Sequence, residues 1–78
     1  MVTIQILGTG CQKCTELANN AEQAATKLGL EYSLEKITDL NQIVTFGCMT
    51  TPGLVINGQL VSQGKLLKAE QVQSLLKK

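Results

Sequence analysis

Hydrophobic and polar positions change period six times along the chain, and those changes divide it into seven elements. VTIQIL, residues 2–7, is apolar and rich in β-branched side chains, and it alternates at first before the glycines of GTG. That pattern predicts a buried strand ending at the glycines. From Cys11 the period becomes helical: Cys14, Leu17, Ala18, Ala21, Ala24, Ala25 and Leu28 fall on one face, with Glu16, Asn20, Gln23 and Lys27 among the polar positions. Gly29 is placed to end that helix. EYSLEKI, residues 31–37, alternates again, with Tyr32 and Leu34 set against Glu31, Glu35 and Lys36. Asp39 is a candidate N-cap for a short helix, LNQIVTFG, in which Leu40, Ile43 and Val44 share a face. TPGLVINGQLVSQG predicts two strands around Asn57-Gly58, a dipeptide suited to a tight hairpin turn. KAEQVQSLLKK closes the chain as an amphipathic helix with Ala69, Val72, Leu75 and Leu76 inward. Its terminal lysines lie where the helix dipole favours them.

The predicted order is therefore β-α-β-α-β-β-α, without linkers, repeats or low-complexity segments. The first half is a βαβ unit, which implies parallel strands, and the second adds an antiparallel hairpin. The fold class expected is α/β, a four-stranded mixed sheet flanked by helices, in a single domain over residues 1–78.

Composition narrows what such a domain does. The chain has 78 residues, one Tyr and one Phe, so its core must be built from aliphatic side chains. A formal charge of +1 disfavours nucleic acid or an anionic membrane as main partner, since both need concentrated basic surface. No apolar run approaches a membrane span, and MVTIQILGTG lacks the pattern of a signal peptide. A cytoplasmic protein is the expectation.

The candidate chemistry sits in GTGCQKC. There is no His, which removes Cys–His nucleophilic pairs and mixed Cys/His zinc sites, and three Cys fall short of a Cys-only structural zinc site. A Cys11–Cys14 bond closes too short a loop to act mainly as a staple. At the start of a helix, Cys11 would face unpaired backbone N–H groups and the positive end of the dipole, which favour thiolate over thiol. Lys13 adds a nearby cation. Cys11 is then the nucleophile on a substrate disulfide, and Cys14, one turn later and inward, resolves the mixed disulfide. The alternative is a soft-metal module that binds and transfers Cu(I) through the CxxC, with Cys48 as a possible third ligand. The sequence near the pair has no Met of the kind small heavy-metal carriers place before their first Cys, and the order of elements differs from theirs. Redox chemistry is preferred, with no metal assigned.

The single Pro lies in TTPG. Read plainly, Pro52 starts a strand; read functionally, Thr51–Pro52 is a cis bond that presents Thr51 to a substrate peptide.

GTGCQKC, then TTPGLVINGQLVSQGK, then a C-terminal helix, together resemble the thioredoxin superfamily, and within it the small thioredoxin/glutaredoxin-like redox-active disulfide proteins. The resemblance covers essentially the whole chain. It implies a thioredoxin-like fold and a protein-disulfide oxidoreductase that serves as an electron carrier in cell redox homeostasis. It implies Cys11 as nucleophile, Cys14 as resolving thiol, and a cis Pro52 packed against them. No bound cofactor is implied beyond the redox-active disulfide. The partners implied are disulfide-containing protein substrates and a reductase of the thioredoxin-reductase type, and a monomer is expected. The chain departs from the common pattern in three ways. Gly10, Gln12 and Lys13 replace the usual residues before and within the pair. VTIQIL has no counterpart to the buried acid of ordinary thioredoxins, leaving Glu16, Glu35 or a water as substitutes. No cluster suited to the glutathione carboxylates is evident. Cys48 is read as a small buried hydrophobe or as a regulatory thiol, Gly8, Gly10 and Gly53 as backbone-geometry residues, and Tyr32 and Phe46 as core.

Overall fold

In a computed structural model, residues 2–8 and 12–77 are described. The elements are β1 (Val2–Leu7), α1 (Gln12–Lys27), β2 (Tyr32–Ile37), α2 (Leu40–Thr45), β3 (Gly53–Ile56), β4 (Gln59–Gln63) and α3 (Ala69–Leu76). Their order is the one the periodicity predicts. The four strands form one mixed sheet in the order β2-β1-β3-β4. β1 runs parallel to β2, with Ile6 opposite Lys36, and antiparallel to β3, with Leu7 opposite Gly53. β3 and β4 form the antiparallel hairpin.

Alternation along β1 sends Ile4 and Ile6 to one face and Leu7 to the other. On the first face, Ile4, Ile6 and Leu54 pack with Leu17 and the alanines Ala18, Ala21, Ala24 and Ala25 of α1, and with Val72 of α3. Four alanines on one helical face let α1 approach the sheet and α3 closely, so the core is dense without aromatic rings. Each fully buried Leu or Ile there contributes about 1.5–3 kcal/mol of transfer free energy. On the second face, Leu7, Ile43, Cys48 and Val55 form a smaller cluster, with Ile37, Phe46 and Leu60 partly buried against it.

The ends of the elements follow their sequence signals. Gly29 (φ 70°) ends α1: its N–H donates to Thr26 O, and Leu30 N–H donates to Ala25 O. Asp39 caps α2, its carboxylate accepting from Asn41 N–H at 2.9 Å. Asn57 (φ 52°) and Gly58 (φ 81°) make the hairpin turn with two successive left-handed residues. α2 corrects one expectation. Leu40 and Val44 are each 63% exposed, and only Ile43 of the three enters the core. With six residues, α2 covers the second face over too little length for its neighbours to find a surface. Tyr32 and Phe46, read as core, are half-buried.

Candidate functional site

The C-terminal ends of the parallel strands β1 and β2 and the segment leading into β3 meet at one edge of the sheet. Gly8 lies just past β1, and its N–H donates to Ile37 O at 2.9 Å, which holds the two strand ends together. Cys14, in the first turn of α1, is buried at 5% exposure. Its Sγ rests against Gly8 so closely that a Cβ on Gly8 would overlap it. Gly8 was read from the sequence as a residue of loop geometry, but the requirement here is close approach of a sulfur to the backbone. The same Cβ would lie 3.9 Å from Thr51 Cβ, so Thr51 and the Cys14 thiol both border the space beside Gly8.

The Thr51–Pro52 bond is cis, with Thr51 exposed and Pro52 buried. Three bonds hold the segment around it. Cys48 Sγ donates to Thr50 O at 3.1 Å, Met49 N–H donates to the Gln63 carboxamide oxygen at 2.8 Å, and Gly64 N–H donates to Pro52 O at 2.9 Å. Gly53 has no Cβ because one would lie 2.7 Å from Cys48 Sγ and 3.3 Å from Leu7. Like Gly8, it serves a close contact. Cys48 is 2% exposed and packs with Leu7, on the opposite sheet face from Ile6.

Cys14 also lines a cavity of about 80 Å³, together with Ile6, Gly8, Thr15, Lys36 and Thr38. Ile6 is what β1 presents there, and among the described residues no acid lines it. The two carboxylates considered as substitutes for the missing acid are elsewhere. Glu35 is on the other face of β2, where Gln5 Nε2 donates to its Oε1 at 3.1 Å, and Glu16 is exposed on α1. Lys36 was grouped by sequence with the outward residues. The signal that places it correctly is parity: Tyr32, Leu34 and Lys36 share one face of β2.

Cys11, the predicted nucleophile, lies outside the described residues, as do Thr9 and Gly10. α1 begins at the next residue, Gln12, and its first turn carries no acid while Lys13 is exposed there. Among the described residues, no group of three or more His, Cys, Asp or Glu is arranged to hold a metal ion. No helix among them is long and apolar enough to cross a membrane.

A four-stranded mixed sheet in this order, with a buried thiol at a helix start beside a cis proline, is the architecture of a thioredoxin-like protein. A match to the thioredoxin domain family spans residues 2–77, and the chain belongs to that family. It is 38% identical over 76 residues to a thioredoxin of Methanothermobacter thermautotrophicus, covering 97% of this chain and 99% of that one. It is 36% identical over 77 residues to a thioredoxin of Methanocaldococcus jannaschii, covering 99% of this chain and 88% of that one. Among solved structures, it superposes with a TM-score of 0.71 at 18% identity on one described as thioredoxin-2, a component of malaria parasite protein secretion machinery, covering 99% of this chain and 82% of that one. A second, described as the structure of a malarial protein, gives a TM-score of 0.73 at 15% identity, covering 99% of this chain and 94% of that one. At these identities the structural likeness speaks for the fold.

Proposed function

We propose that this thioredoxin-family protein is a protein-disulfide reductase that cycles Cys11 and Cys14 between dithiol and disulfide. The observation that carries the reading is Cys14: a buried thiol in the first turn of α1, against the Gly8 backbone and near the exposed Thr51 of a cis Thr51–Pro52 pair. Cys11, three residues earlier in the chain and the partner in the CxxC, is the attacking thiol. It forms a mixed disulfide with the substrate, which Cys14 then resolves. Lys13 is the cation on the first turn that favours the Cys11 thiolate. The exposed Thr51, next to Pro52, receives the substrate segment adjoining the disulfide. The redox-active disulfide is the only redox group the cycle needs, and electrons return from a reductase of the thioredoxin-reductase type. The setting is cytoplasmic and the working unit a monomer.

The test is turnover. With a dithiol reductant and an aromatic or insulin disulfide, the wild-type protein is expected to exceed Cys11→Ser in rate by at least a hundredfold, the order contributed by an activated nucleophile. Equal rates would remove the enzymatic reading.

A further inference from the structure

The segment that carries Thr51 into β3 is held at the end of β4, and partly by a side chain rather than by the sheet. β3 and β4 pair from Ile56 opposite Gln59 to Gly53 opposite Gln63. One residue further on, Gly64 N–H donates to Pro52 O at 2.9 Å, but Pro52 has no N–H to donate in return. The ladder stops there, and residues 48–52 lie outside any strand. Gln63 reaches past that point. Its carboxamide oxygen accepts from Met49 N–H at 2.8 Å and so ties β4 to a residue upstream of Thr51.

Gly64 brings the segment close. A Cβ on it would lie 2.9 Å from Thr50 Cγ2, and its φ of 71° is one that a side chain disfavours. Within the segment, Cys48 Sγ donates to Thr50 O at 3.1 Å. Met49, Thr50 and Pro52 are thus each held, with the exposed Thr51 among them. Gln63 and Met49 are themselves exposed, so their bond competes with water and adds little to stability. What it limits is the range of courses open to residues 49–52. A surface fixed before it binds loses less entropy on binding.

We propose that Gln63 is a positioning residue for protein substrates: through Met49 N–H it sets the course of residues 49–52, so that Thr51 meets the chain beside the substrate disulfide already in place. This rests on the disulfide-reductase reading, in which Thr51 receives that chain. Gln63 acts through Met49 and Thr51, not on the sulfurs. A peptide disulfide, with chain on both sides of its cysteines, uses the surface that Gln63 holds. A small aromatic disulfide has no such chain and does not. The ratio of the two rates isolates the role, because a change in the reactivity of Cys11 enters both and cancels.

The test compares wild type with Q63A, Q63L and Q63E, each checked for a native amide spectrum. Q63A and Q63L remove the acceptor, and Q63E keeps one at the same reach. With a dithiol reductant, kcat/KM is measured for a peptide disulfide and for a small aromatic disulfide. The ratio of peptide to aromatic is expected to fall roughly three- to tenfold in Q63A and Q63L, the order set by one hydrogen bond, and to fall mainly through KM. Q63E should keep the wild-type ratio. Amide exchange at Met49 should quicken in Q63A and Q63L but not in Q63E. The proposal is overturned if the ratio is the same in all four proteins, if both substrates slow equally, or if Q63E falls as far as Q63L. A wild type that reduces neither disulfide would remove the reductase reading and the substrate role of Gln63 with it. Wild-type turnover of both with an unchanged ratio would remove the role of Gln63 alone.

Discussion

Two glycines and two sulfurs illustrate how the site is assembled at the scale of single residues. Gly8 and Gly53 have ordinary backbone angles, and each is there because a cysteine sulfur occupies the space of its missing Cβ. The sequence shows the glycines but not the sulfurs that face them, because the contacts join residues far apart in the chain. Cys48 was legible as a buried hydrophobe, and it is one, but its bond to Thr50 O adds a hold on the Thr51–Pro52 segment that spacing could not reveal. Gly53→Ala is expected to cost about 1–3 kcal/mol, the range for overpacking a tight site. Pairing it with Cys48→Ala should recover part of that loss, leaving the remainder to the 3.3 Å contacts with Leu7. Urea unfolding of the two single variants and the double would show the coupling, and strict additivity would mean that the sulfur is not what the new Cβ meets.

At the scale of elements, periodicity predicted all seven, and the hairpin most sharply. Asn57-Gly58 adopts the left-handed pair its sequence suggests. Asn57 does more than turn the chain: its Oδ1 accepts from Thr3 N–H at 3.0 Å and its N–H donates to Thr3 O at 2.8 Å, which carries the β1–β3 ladder one step past Ile56. Two substitutions separate these roles. Asn57→Gly keeps the left-handed backbone and loses the side-chain bond, whereas Asn57→Ala loses the bond and also meets a steric cost of about 1–2 kcal/mol. Thermal unfolding should rank wild type, Gly and Ala in descending order, and an Ala variant as stable as Gly would contradict the turn geometry. α2 was the element least legible. Its pattern identified a helix with an apolar face, but six residues on a thinly covered sheet face leave Leu40 and Val44 in solvent. Periodicity reports which residues share a face, not whether a surface waits for it. A similar limit applied to Asn20, a polar helix position whose Nδ2 donates to Leu67 O at 2.8 Å and ties α1 to the approach of α3.

For the molecule as a whole, the mixed sheet places the site where the ends of β1 and β2, the start of α1 and the segment before β3 converge, outside the carboxyl ends of the two parallel strands. Open α/β sheets commonly put their chemistry there. The larger core lies behind it on the α1 and α3 face, and a smaller cluster supports Cys48 on the α2 face. The CxxC and the lone Pro pointed to this region from sequence, and the thioredoxin domain match over residues 2–77 speaks for the family. Which residues line the cavity beside Cys14 was not legible, since it depends on strand register between β1 and β2 and on the packing of α1 across both. The central claim is that Cys11 and Cys14 form one redox couple that donates electrons to disulfides. Equilibrating the protein in glutathione buffers of defined poise, and counting free thiols by mass after alkylation, measures that couple directly. The account predicts a single two-electron transition confined to Cys11 and Cys14, at a potential nearer ~−270 mV, the thioredoxin value, than ~−120 mV, the value of a strong oxidant. A potential near the oxidising value, or no two-electron transition linking these two cysteines, would contradict it.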